Sequence, residues 1–306
     1  MTGPIAARGP TAARPTVKQW LAGARPRTLP AACSPVIAGT GLAVFAADAS
    51  WLAALLALIV SLALQVGVNY ANDYSDGIRG TDVDRVGPLR LVGSGLASPP
   101  LVKRAAFVSF GFAAFAGLAL VIMTQHWWLL ALGAACVLAA WYYTGGKRPY
   151  GYAGLGEVSV FVFFGLVATV GTTFVQAGEV TTASVLAGVG CGALACAILV
   201  ANNLRDLETD RVAGKHTLAV RLGDQRTRWF YVSLLVAALA TLVAIGFIHV
   251  PAFAVLTTAV PAARCARVVL QGARGRDLVP VLKMTGSVLL LYGVLLGAAL
   301  ALDTSS

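Results

Sequence analysis

The sequence predicts an all-α polytopic membrane protein, a bundle of nine transmembrane helices, and three observations carry that prediction. The 306 residues are 58% hydrophobic and only 12% charged, where soluble domains carry roughly 25% charged residues; the mean hydropathy is +0.78. Nine apolar runs reach the roughly 17–25 residues needed to cross a bilayer. Threading those runs through a membrane puts every Lys and Arg on one side.

Residues 1–17, rich in Ala, Arg, Pro and Thr, read as a disordered tail without the apolar core of a signal peptide. Residues 18–306 read as a single transmembrane domain. The runs lie near 29–47, 51–72, 105–124, 127–144, 154–176, 182–204, 229–248, 251–270 and 283–302. Links as short as Asp48–Ser50 and Thr124–His126 require antiparallel hairpins. With the N-terminus in the cytoplasm, five inner segments hold all 23 Lys and Arg of the chain. The outer links hold only Asp48, Glu179 and Asp303 as charged groups. A missed or invented span would scramble that asymmetry, so the pattern supports both the count and a cytoplasmic N-terminus in a plasma or inner membrane. The net charge of +10 follows from this bias and from anionic lipid. It needs no nucleic acid, and no aromatic–basic interleaving of a nucleic-acid surface occurs. The five cysteines lack CxxC spacing and read as small buried hydrophobes. Gly188 and Gly192 form a GxxxG packing motif. His126 and His249 fall on outer links and read as incidental, and the role of His216 stays open.

Two acidic clusters close apolar runs on the inner side. The first runs Asn72-Asp73-Tyr74-Ser75-Asp76-Gly77-Ile78-Arg79 and continues to Asp82 and Asp84; the second runs Asn202-Asn203-Leu204-Arg205-Asp206-Leu207-Glu208-Thr209-Asp210. Carboxylates beside hydrocarbon persist when paired, hydrated or bound to a cation. Gln65, Asn69, Asn72, Asp73 and Asp76 recur at helical spacing, and Asp206 and Asp210 stand one turn apart. Two such stripes in one bundle can present oxygen ligands to Mg²⁺, which takes one or two carboxylates together with waters and substrate phosphates. Helix capping accounts for one or two of these residues and not for seven in register. The segments also echo each other, Asn72/Asp76 with Asn202/Asp206 and Asp84-Arg85-Val86 with Asp210-Arg211-Val212. A true repeat would bring equivalent carboxylates to one cavity; chance is the alternative.

Cations suited to phosphate surround the clusters: Arg79, Arg85, Arg90, Lys147, Arg148, Arg205, Arg211 and Lys215. Each taken alone is also a positive-inside anchor. Tyr143 and Lys147 stand four apart at the end of the fourth run. Glu157, just inside the fifth run after a glycine-rich stretch, is either an exposed acid favoured by the helix dipole or an acid of the site.

These motifs resemble the UbiA-type intramembrane prenyltransferase superfamily. The family's Asn-Asp-x-x-Asp motif matches Asn72, Asp73 and Asp76, its Asp-x-x-x-Asp matches Asp206 and Asp210, and its Tyr-x-x-x-Lys matches Tyr143 and Lys147. Gly80 occupies the position where a third acid commonly stands, which leaves Asp82 or Asp84 as the third ligand. The stretches 85–95 and 214–220 are similar to the menaquinone-biosynthesis branch. The resemblance implies a central cavity open to the cytoplasmic side and laterally to lipid. It implies Mg²⁺ held by Asp73, Asp76, Asp82, Asp206 and Asp210 on a polyprenyl diphosphate. It also implies a 1,4-dihydroxy-2-naphthoate acceptor that is prenylated with decarboxylation. Asp73, Asp76, Asp206, Asp210, Tyr143 and Lys147 are then the expected catalytic groups. Substrate binding is expected at Asn69, Asn72, Arg79, Arg85, Arg90, Asn202, Asn203, Lys215 and Glu157, with Arg27 on the acceptor carboxylate. The rival readings are another acceptor (4-hydroxybenzoate, a porphyrin or a sugar phosphate) or a cation- or proton-coupled transporter. Transporters place ionisable groups at mid-span more often than this chain does.

Overall fold

The computed structural model describes residues 15–46, 48–80 and 89–303. Among these residues there are helices and no strand. All nine apolar runs form helix. Among the described residues, seven helices are long and apolar enough to cross a membrane, eight if the bent first pair counts as one span.

That pair is α1 (Val17–Gly23) and α2 (Pro30–Phe45). Thr16 caps α1 in a reciprocal box with Gln19. The chain then turns through Arg25, a non-glycine residue with φ 53°, and the 3₁₀ turn Pro26–Thr28, so the two stretches meet at 54°. Helix α3 (Trp51–Arg79) starts on a Ser50 cap and stops at Gly80, whose φ of 69° favours glycine. The sequence reading ended this span at residue 72, where hydropathy falls, but the helix continues to Arg79. Its 29 residues rise about 44 Å, well past a hydrocarbon core of about 30 Å. Asp73, Asp76 and Arg79 therefore sit on regular helix at fixed angles.

Helix α4 (Pro99–Thr124) packs along α3, and α5 (Leu129–Tyr142) follows. The fourth run was expected to span the membrane over 127–144. Its helix has 14 residues, about 21 Å, and is shorter than a crossing. Helix α6 (Gly156–Ala177) widens into a π-helical stretch at Phe161–Val167. Helix α7 (Thr182–Arg205) is capped by Thr181 and Ser184, and breaks at Asp206 before the short α8 (Leu207–Val212). Helix α9 (Leu218–Gly246) carries a break at Gly223 and begins eleven residues earlier than the seventh run. Helices α10 (Val250–Leu270) and α11 (Gly275–Ala301) complete the bundle.

Helix α7 is the most enclosed of the long helices, and α2, α6, α9 and α11 pack around it. Inside a bilayer, apolar surface gains little by leaving lipid, so association depends on close packing. The Ala, Gly and Cys residues of α7 permit that closeness. A Cβ added at Gly165 of α6 would lie 2.5 Å from the Gly192 Cα and 2.7 Å from the Gly188 oxygen, so both glycines of the GxxxG motif serve packing. Gly41 and Gly293 play the same part where α2 crosses α11, and there the Ser34 hydroxyl donates to the Leu289 carbonyl.

Gly165→Ala should therefore lower the thermal midpoint in detergent by the equivalent of about 1–3 kcal/mol of overpacking. Gly111→Ala, with nothing within 4 Å of the new methyl, should leave it unchanged.

Candidate active site

One cavity of about 1680 Å³ runs through the bundle. On α3 its wall includes Ala57, Ser61, Gln65, Asn69 and Asn72, one helical face that turns from apolar to polar toward the Arg79 end. The far end is lined by Leu120, Val121, Leu129, Val175 and their neighbours. The near end carries Arg25, Arg27, Arg90, Asn202, Arg205 and Arg276. An apolar tunnel thus ends in a cationic and amide-lined head.

The polar face of α3 also organises its surroundings. The Gln65 amide donates to Thr28 Oγ1 at 3.0 Å, and the Asn69 amide donates to the Ala24 carbonyl at 2.8 Å. These bonds fix the elbow that carries Arg25 and Arg27. Arg25 lies within Coulombic reach of Asp73, and Arg27 is exposed on the cavity wall. Asp73 accepts backbone N–H bonds from Leu91 at 2.7 Å and Val92 at 3.0 Å, one on each carboxylate oxygen. That clamp seats the 89–92 segment and brings the Arg90 guanidinium to Asp76 at 3.3 Å.

Asp76 sits at the centre. Besides Arg90 it accepts a hydrogen bond from the Tyr152 hydroxyl and pairs with the Lys215 ammonium at 3.4 Å. The same ammonium lies 3.9 Å from Asp210. The two acidic clusters, distant in sequence, therefore share one cation. Asp206 forms a bidentate pair with the adjacent Arg205 at 2.7 and 2.6 Å. All four carboxylates are at most 6% exposed, and burial at that level is tolerated because they are paired.

Two further contacts tie connecting loops to this centre. Thr144 Oγ1 donates to the Asn72 side chain at 2.7 Å, while Arg79 donates to the Thr144 and Gly146 carbonyls. Arg79, expected to bind substrate, thus braces the turn after α5, and its guanidinium also stands over the Tyr152 ring. Lys147, next in that turn, is exposed. Tyr143 lines the cavity, its ring edge-on to Tyr150. Burial pushes the Tyr150 phenol above its ordinary value by more than its bond to Ser159 draws it back. It therefore stays a neutral donor, reaching the Ala139 carbonyl at 2.7 Å. Glu157 is buried and accepts from the Asn203 amide at 3.0 Å, which answers the open alternative in favour of an interior acid. Asp82, Asp84 and Arg85 lie outside the described residues.

The internal echo is only partly spatial. Asn72 and Asn202 both line the cavity, but α3 runs straight through Asp76 while α7 breaks at Asp206. Sequence reasoning missed Tyr152, Arg25 and Arg276. Tyr152 stands in a glycine-rich connector whose pattern gives no hint of it, and Arg25 and Arg276 look like ordinary inner-side cations.

Among the described residues, no three His, Cys, Asp or Glu side chains gather as a ready metal cage. The donor set nonetheless fits Mg²⁺, which takes few protein carboxylates and completes its shell from water and phosphate. The space between Asp76 and Asp210 already attracts a cation in the form of Lys215.

The model of the UbiA prenyltransferase family matches residues 32–285. The chain belongs to that family. It is a prenyltransferase and a multi-pass membrane protein. The 1,4-dihydroxy-2-naphthoate octaprenyltransferase of Mycobacterium tuberculosis (strain ATCC 25618 / H37Rv) is 54% identical over 284 residues, 92% of this chain and 97% of its own length. The protein of the same name from Escherichia coli (strain K12) is 43% identical over 229 residues, 73% of this chain and 74% of its own. Among solved structures, a UbiA homolog from Archaeoglobus fulgidus bound to GPP and Mg²⁺ superposes with TM-score 0.66 at 14% identity, over 92% of this chain and 99% of that one. The apo structure of a UbiA homolog from Aeropyrum pernix K1 gives 0.66 at 16%, over 88% and 96%. Likeness at such identities speaks for the UbiA fold alone.

Because each Asp73 oxygen holds a backbone N–H, Asp73→Asn should free the 89–92 segment. Amide exchange at Leu91 and Val92 should accelerate by about ten- to a hundredfold, the rate equivalent of a lost buried hydrogen bond. Hydrogen-exchange mass spectrometry of the peptide covering 89–97 reads this directly.

Proposed function

We propose that the chain transfers a polyprenyl group from polyprenyl diphosphate to 1,4-dihydroxy-2-naphthoate with loss of CO₂, giving demethylmenaquinol for menaquinone biosynthesis. The observation that carries the reading is an apolar tunnel whose head is lined by Arg90 and Arg205, each paired behind the wall with an acid of one cluster, Asp76 and Asp206. The activity by which the 54% and 43% identical relatives are named supports the acceptor and an octaprenyl donor. The distribution of Lys and Arg supports a cytoplasmic site and N-terminus in the cell membrane. We also read nine crossings within one domain over 18–306, counting the bent α1–α2 pair and the short α5 as spans.

In this reading Asp76, Asp206 and Asp210 hold Mg²⁺, with Asp73 and Asp82 or Asp84 completing the acidic set of the first motif. When bound, the metal supplies positive charge beside the departing diphosphate. The chain's own cations do the rest of the anion binding. Arg90 and Arg205 line the head of the cavity, where their fixed positions favour the charge that develops as the allylic C–O bond breaks, and Lys215 borders Asp76. The Tyr152 hydroxyl orients the Asp76 carboxylate. Asn202 faces the cavity while Asn203 holds Glu157, so that helix turn fixes both the wall and its buried acid. Arg27 and Arg276 at the mouth are suited to the acceptor carboxylate. The carboxyl-bearing ring carbon attacks the allylic cation, and departure of the carboxylate as CO₂ restores aromaticity. Tunnel walls such as Val68, Val137 and Phe164 keep water from the cation. The prenyl tail occupies the apolar length and leaves between helices into lipid.

The test is purified protein in nanodiscs with octaprenyl diphosphate, Mg²⁺ and a panel of aromatic acids. The expected outcome is prenylation with CO₂ release from 1,4-dihydroxy-2-naphthoate and not from 4-hydroxybenzoate; the opposite preference overturns the acceptor assignment. Asp76→Asn and Asp206→Asn should each lower turnover by at least about 10²-fold, the scale of losing one preorganised electrostatic group, while membrane insertion is retained. Wild-type turnover in either variant would refute the metal role.

A further inference from the structure

Lys215 is built into the site more firmly than a surface anchor would be. It is 6% exposed, with its ammonium 4.7 Å from the centroid of the Tyr152 ring. Its backbone N–H donates to the Asp210 carbonyl, and the next residue, His216, donates to the Tyr152 carbonyl, both at 2.9 Å. Gly214, with φ 69°, makes the turn that returns Lys215 toward its own cluster. Backbone and side chain together hold one positive charge between Asp76 and Asp210, at 3.4 and 3.9 Å.

That place is also where a divalent cation would find its two carboxylates. A metal entering alone would meet the ammonium and lose to Coulombic repulsion, which is strong where solvent is excluded. A diphosphate changes the balance, because its oxygens give the ammonium another partner within reach of its flexible stem. Resting on the diphosphate reading above, we propose that Lys215 is an internal counter-ion that fills the cation position between Asp76 and Asp210 and yields it only when diphosphate arrives. Metal loading is thereby coupled to substrate. The coupling is reciprocal: whatever factor the anion adds to metal affinity, the metal adds to anion affinity.

The experiment uses the full chain in nanodiscs and two binding measurements, neither of them activity. Mn²⁺ affinity is read by electron paramagnetic resonance in phosphate-free buffer, and Mg²⁺–pyrophosphate affinity by calorimetry. Lys215→Met should bind Mn²⁺ alone about tenfold more tightly than wild type and Mg²⁺–pyrophosphate about tenfold more weakly, the size of an ordinary coupling between sites. Lys215→Arg should behave as wild type in both. A merely structural lysine would weaken both affinities together, so unchanged or weaker Mn²⁺ binding in a folded Lys215→Met overturns the proposal. Lys215→Gln supplies the same comparison if the Met variant fails to fold. A wild-type protein that does not bind Mg²⁺–pyrophosphate refutes the diphosphate reading itself, and with it the partner to which Lys215 would move. Tight binding there combined with unchanged Mn²⁺ affinity in the variant refutes the counter-ion role alone.

Discussion

The contact on which this candidate site depends is the Lys215 ammonium, held between carboxylates 139 and 5 residues away. Asp76 and Asp210 are buried acids on separate helices, and without a cation between them they would repel at short range in a medium of low dielectric. Lys215 converts that repulsion into a tie between the inner end of α3 and the turn after α8. The tie is only possible because those ends are already close. Their approach comes from residues with nothing to do with charge, the glycines and alanines that let α6, α9 and α11 close around α7. Packing in the apolar part of the bundle thus sets the distance at which the electrostatics of the polar part operate.

The length of α3 determines how the cavity is divided. A helix that stopped where hydropathy falls would leave Asp73 and Asp76 on a loop, free to turn into water. Continued to Arg79, it presents Gln65, Asn69 and Asn72 along one wall with Asp76 one turn further on, and Arg79 uses its last turn to brace the segment after α5. The polar head is therefore rigid while the tunnel beyond it is apolar, an arrangement suited to a molecule with a charged end and a long hydrocarbon body. The π-helical stretch of α6 lies against the same tunnel, with Phe163, Phe164 and Val167 on its wall. Such widening of the helix recurs at functional sites.

Much of this was legible in the sequence, and the reasons differ by residue. Helical spacing gave the stripe on α3, because side-chain direction follows from periodicity alone. That both clusters meet at one end of the bundle followed from the positions of Lys and Arg. Helical spacing carried α3 past its apolar run as far as Asp76, but its last turn to Arg79 was not legible, since no hydropathy signal marks it. Nor was the shortness of α5, whose run looks like any other. Glu157 stood between two readings that differ only in burial, and burial depends on Asn203 arriving from a distant helix. Tyr152 was invisible for the same reason: its part is set by Asp76, Lys215 and Arg79, none of them its neighbours in the chain.

The cations around the clusters admit two explanations that have been treated as rivals, positive-inside anchoring and phosphate binding. Burial separates them. Lys147, Arg148 and Arg211 are exposed, and a solvated cation at the inner surface does all that topology requires. Arg90, Arg205 and Lys215 are each less than 10% exposed and pair with acids of the two clusters. Topology gives no reason to bury them, because a desolvated cation loses hydration without gaining any orienting effect. Their burial goes with the buried carboxylates that each of them neutralises. One set of residues therefore divides in two: some cations stay solvated at the surface, and folding draws the others in against the acids.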